Sequence, residues 1–106
     1  MSVEEFAKYA IDNMHRASLV NAFNIADKLD NPKFYSLSDF IDNCIKYVSE
    51  LQSMNKISPQ TASRVLVALY NCDRDYNSDF KYNKKMVIDN LIIELWEAFC
   101  KNTGGN

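Results

Sequence analysis

The side chains able to do chemistry are few and scattered along the chain. The one histidine, His15, has Asp12 three residues before it, within reach on one face of a helix. An Asp-x-x-His pair supplies two metal ligands, and no C-x-x-C or H-x-x-x-H spacing supplies a third and fourth. The expectation is a boundary histidine paired with Asp12, with no metal and no cofactor. Nucleophilic catalysis needs a thiol or hydroxyl beside a base. Cys44, Cys72 and Cys100 each sit on or beside an apolar stripe, where burial raises a thiol's pKa and quiets it. Carboxylates at i, i+3, Asp39 with Asp42 and Glu94 with Glu97, fall on faces away from those stripes and read as solvated surface. No acid, base and nucleophile combine, so the chain is expected to have no catalytic residues and not to be an enzyme.

Binding chemistry is better represented. Between positions 73 and 85 the chain gathers Arg74, Tyr76, Phe80, Lys81, Tyr82, Lys84 and Lys85. Aromatics interleaved with cations suit single-strand nucleic-acid platforms, but Asp73, Asp75 and Asp79 cancel the field in the same stretch. Tyrosine and arginine also dominate protein–protein hot spots, because they offer large contact area at low entropic cost. These seven residues are therefore the candidate partner-binding set, with pairing to a second copy of the chain included. The competing reading folds Tyr76, Phe80 and Tyr82 back over the core as a lid. A separate candidate lies at Ser58-Pro59-Gln60-Thr61-Ala62-Ser63-Arg64. It has the polar look of a recognition helix, with Gln60, Thr61 and Arg64 placed to reach base edges.

Helices must position all of these. Ser2 followed by Glu5 is a capping box, and Val3, Phe6/Ala7, Ala10/Ile11, Met14 and Ala17 form a helical stripe behind it. Leu19, Ala22/Phe23, Ala26 and Leu29 continue in nearly the same phase, so either one helix runs from about 3 to 29 or it breaks near His15 to Ser18. Asp30-Asn31-Pro32 ends the segment. Ser36 with Asp39 opens the next helix, which carries Leu37, Phe40/Ile41, Cys44/Ile45, Val48 and Leu51 inward to about Met54. Ile57-Ser58-Pro59 places serine at N-cap and proline at N1, with Ile57 stapling onto Ala62. That helix carries Ala62, Val65/Leu66, Leu69 and Cys72. Residues 73 to 83 show no period, and from Lys84 the pattern returns with Val87/Ile88, Leu91/Ile92, Leu95/Trp96 and Phe99 behind Asn83 as cap. Residues 102–106 read as a flexible tail. The expected fold is all-α: a small bundle of four to five helices, one domain spanning residues 1–106.

Composition agrees. The 106 residues carry 12 basic and 14 acidic side chains, and both glycines stand at Gly104 and Gly105. A chain with no earlier glycine cannot build a phosphate-cradling loop and is poorly suited to hairpin turns. A net charge of −2 gives no pull toward nucleic acid or anionic membrane. The longest apolar run, Val65 to Tyr70, is far short of a membrane span, and Met1-Ser2-Val3-Glu4-Glu5 does not open a secretory signal. Three reduced thiols and no C-x-x-C fit a cytoplasmic protein. Abundant asparagine, lysine and tyrosine with only three arginines suits an AT-rich genome, as in a low-GC bacterium or its phages.

In size, acidic balance, helix count and the Asn31-Pro32-Lys33-Phe34 turn before a long helix, the chain resembles the bacteriocin immunity proteins, small cytoplasmic helical bundles. The resemblance lies in layout and includes no motif, so it carries over no functional residue. Small phage-encoded inhibitors share the same composition. The expected function is that of a non-enzymatic helical protein that binds and blocks or regulates another protein. The alternatives are an immunity-like bundle and a small DNA-binding regulator using the helix after Ser58.

Overall fold

A computed structural model describes the backbone of residues 1–15, 19–31, 33–78 and 83–104, and their side chains except 15, 19–21 and 101–104. Among the described residues there are five α-helices and no strand: α1 Val3–His15, α2 Leu19–Leu29, α3 Leu37–Ser53, α4 Pro59–Tyr76 and α5 Lys84–Gly104. The segment from 3 to 29 therefore holds two helices, with residues 16–18 between them outside the described residues. α5 runs through Gly104, past the point where the sequence places the start of a tail.

Four of the five starts are fixed by the residue that their sequence signal names, and the residue before α2 lies outside the described residues. Ser2 Oγ accepts from the Glu5 amide at 3.1 Å while the Ser2 amide donates to Glu5 Oε1 at 3.2 Å, closing the capping box. Ser36 Oγ accepts from the Asp39 amide at 3.4 Å, Ser58 Oγ from the Thr61 amide at 3.1 Å, and Asn83 Oδ1 from the Lys85 amide at 3.0 Å. Ile57 and Ala62 are both buried, as a staple across the start of α4 requires.

The end of α3 solves a problem that a chain without internal glycine must face. Asn55 takes φ 58°, the left-handed conformation usually given to glycine at this position. The Lys56 amide then reaches the Leu51 carbonyl at 2.9 Å and the Asn55 amide reaches the Gln52 carbonyl at 3.0 Å. This is the bond pair of a Schellman end. A β-carbon in this conformation costs energy that glycine avoids. Asn55→Gly is expected to stabilise the protein by about 0.5–1 kcal/mol, raising the thermal midpoint by a few degrees. An unchanged or lowered midpoint in a calorimetric scan contradicts that account.

The helices close a ring in which α1 packs on α3, α3 on α4, α4 on α5 and α5 on α1, with α2 seated on α1 and α5. Burying one apolar face of each helix in the middle of the ring makes a continuous core that includes Phe6, Ile11, Met14, Ile25, Phe40, Val48, Val65, Leu69, Leu91 and Leu95. On α3 the buried set is Leu37, Phe40, Ile41, Cys44, Val48 and Leu51, the predicted stripe with Ile45 at its margin. α2 departs from expectation. Phe23 is 55% exposed and Ile25 is buried, because the inward residues are Ala22, Ile25, Ala26 and Leu29. No helix among the described residues is long and apolar enough to cross a membrane.

Candidate functional site

Of the seven predicted partner-binding residues, Arg74, Tyr76, Lys84 and Lys85 are described, while Phe80, Lys81 and Tyr82 lie outside the described residues. The irregular segment also starts later than the sequence suggests. α4 continues through Asp73, Arg74, Asp75 and Tyr76. Its end is held by Asn77, whose amide and side-chain Nδ2 both donate to the Asp73 carbonyl, at 3.1 and 2.8 Å. Beyond Cys72 the helix needs few apolar residues, so its hydrophobic rhythm fades before its hydrogen bonds do.

Two of the predicted residues are brought together. Lys84 Nζ lies 4.2 Å from the centre of the Tyr76 ring, a cation–π contact tying the last turn of α4 to the first turn of α5. Tyr76 packs half-buried against the core margin. Arg74 Nε sits 3.3 Å from Asp75 Oδ1 in an exposed pair, and Lys85 is exposed.

The larger feature is one that sequence reasoning missed. α4 and α5 run antiparallel, and the outer surface between them is open. A cleft of about 410 Å³ has Ser63, Arg64, Val67 and Asn71 on one wall and Glu94 and Glu97 on the other, over Ala68 and Ala98. A second, of about 250 Å³, continues it through Cys72 and Asp75 opposite Met86, Asn90 and Leu91, sharing Asn71 and Glu94 with the first. Of the lining residues Val67 and Met86 are 54% and 60% exposed, and elsewhere on the same two helices Tyr70 and Ile93 are 58% and 44% exposed. The signal was present in the sequence. The run Val65 to Tyr70 places Val67 and Tyr70 off the inward stripe, and Met86 and Ile93 are off the stripe of α5.

The middle of this groove is electronegative. Burial, then the neighbouring Asp75 and Glu97, hold the Glu94 carboxyl above its usual range. Burial first, and then Asp73, Asp75 and Glu94, push the Cys72 thiol up to about 12. Glu94 is exposed as expected and Glu97 is half-buried, with α4 lying alongside both. Asp39 and Asp42 are exposed as expected.

The remaining candidates fall elsewhere. Asp12 Oδ1 accepts the Tyr47 hydroxyl at 2.7 Å and joins α1 to α3; the side chain of His15, its expected partner, lies outside the described residues. Lys8 sits 5.8 Å over the Tyr47 ring and pairs with Glu4 at 3.4 Å. Cys44 and Cys72 are buried, Cys100 is partly so, and all three are free thiols. Among the described residues no three His, Cys, Asp or Glu side chains converge where a metal ion could sit. At the start of α4, Gln60 and Arg64 are exposed, but Thr61 is 5% exposed and its hydroxyl receives that of Ser58 at 3.0 Å. Thr61 therefore has no path to a base edge. Comparison of the chain with protein-family models, curated protein sequences and solved structures found no match in any of the three.

Proposed function

We propose that the protein is a non-enzymatic binding module that occupies a surface of another protein and so blocks or regulates it, in the manner of a phage-type inhibitor or an immunity factor acting in the cytoplasm. The observation that carries this reading is the α4–α5 face. Four large apolar side chains, Val67, Tyr70, Met86 and Ile93, are left in water on these two adjacent helices, and Val67 and Met86 among them line the clefts. Exposed apolar side chains on two packed helices, set among polar residues, are what an interface uses for contact. The mechanism is steric. The bundle presents this face, and affinity comes from burying tyrosine and aliphatic area against the partner.

The test is affinity capture from cells with two baits, the native chain and Val67→Ser/Tyr70→Ser. Both substitutions fall on exposed positions and are expected to leave the helical circular dichroism unchanged. A partner retained by the first bait and lost from the second supports the reading. Identical captured sets, or none, refute it.

A further inference from the structure

We infer that the α4–α5 groove receives an amphipathic α-helix of the partner, apolar along one face and carrying a lysine or arginine at its centre. This rests on the binding role proposed above and specifies its occupant. The groove is lined by two antiparallel helices, a geometry that a third helix completes by laying its apolar ridge between them. From Ser63 to Asp75 it extends about 18 Å along α4 at about 1.5 Å per residue, which is about three helical turns. Its floor of Ala68 and Ala98 allows close approach, and Val67 and Met86 offer apolar contacts toward its two ends.

Charge decides the sign of the occupant. Glu94 belongs to both clefts and so stands at the midpoint, with Asp75 and Glu97 on either side. Arg64 lies at one end of the groove and Lys84 at the other, over Tyr76. Among the described residues no cation lies within ion-pair distance of Glu94. A cation delivered from outside at that midpoint would pair with Glu94, whereas an acidic segment would add to the repulsion that Glu97 and Asp75, itself paired with Arg74, already place on it.

The probe is a synthetic helical peptide of about sixteen residues with leucines at i, i+3/4 and i+7 and two central lysines. A second peptide replaces those lysines with glutamate. Binding to the full-length chain is read by fluorescence anisotropy. The lysine peptide is expected to bind, to weaken as salt is raised, and to bind roughly tenfold more tightly than the glutamate peptide. Glu94→Gln should remove most of that preference, Val67→Ser should weaken both peptides, and Phe34→Ala, on an exposed residue of the α2–α3 connection, should change nothing. Equal binding of the two peptides, no binding at low salt, or a preference that survives Glu94→Gln overturns the inference. Failure here alongside a capture that still depends on Val67 and Tyr70 removes the cationic helix and leaves the blocking role standing; failure of both removes both.

Discussion

Phe6→Ala is expected to destabilise the protein by about 3–5 kcal/mol, the range for truncating a fully buried phenylalanine. Phe6 has no exposed surface and sits where three segments meet. Its ring stacks on Tyr35 with centroids 4.3 Å apart and planes 5° from parallel, and it meets Phe40 at 5.4 Å in a tilted arrangement. Aromatic pairs add about 0.5–1.5 kcal/mol beyond the area they bury, so truncation loses pair energy and also opens a cavity. The loss propagates, because Tyr35 is held by that stack and by its hydroxyl bond to the Met1 carbonyl at 3.0 Å. A domain of this size has about 5–15 kcal/mol in total, and each kcal/mol lost lowers the thermal midpoint by about 4–8 °C. Phe34→Ala supplies the contrast. Phe34 is 64% exposed, and its loss is expected to cost no more than about 0.5 kcal/mol. Equal costs for the two substitutions, measured by urea unfolding, would show that Phe6 is not the keystone of the α1–α3 contact.

Phe6 also shows what the sequence makes legible. The rhythm Val3, Phe6/Ala7, Ala10/Ile11, Met14 is visible in the string, and the structure buries it from Phe6 through Met14. Caps are equally legible, because a serine or asparagine oxygen acts on amides two or three residues away, and Ser2, Ser36, Ser58 and Asn83 all do so. Two kinds of feature were hidden. The first is helix that extends beyond the core, such as Asp73 to Tyr76, where hydrogen bonding continues after the apolar period has ended. The second depends on which helices are neighbours. Glu94 and Val67 are ordinary surface residues on their own helices and become walls of one groove only because α4 and α5 lie antiparallel. The partner that Asp12 does have was hidden for the same reason. A tyrosine from α3, distant in sequence, reaches Asp12. Local spacing says which side chains share a face and is silent on what packs against it.

Alkali is expected to unfold the protein before the pH reaches 12, through groups that are buried in their neutral form. Cys44 has no exposed surface, and burial alone pushes its thiol far above its ordinary 9.0. Cys72 is raised to about 12 by burial and then by the carboxylates of Asp73, Asp75 and Glu94. Tyr47 is raised from 10.0 to about 12, first by burial and then by its bond to Asp12, because losing its proton would set two anions 2.7 Å apart. In each case the folded state holds a proton that the unfolded chain releases at lower pH. Stability is therefore fully present below about pH 9, where both states are protonated, and falls as pH rises through the interval between unfolded and folded pKa values. Each thiol contributes a slope of up to about 1.4 kcal/mol per pH unit over that interval. Two thiols alone thus approach the whole stability of a small domain by pH 12. Urea midpoints measured from neutral pH upward, with reductant present, should be flat to about pH 9 and then drop. Cys44→Ala/Cys72→Ala should start lower, because of the volume removed, but stay flat until tyrosine begins to titrate near 10.0. A double variant that falls as early and as steeply as the native chain would place the alkaline weakness outside the core thiols.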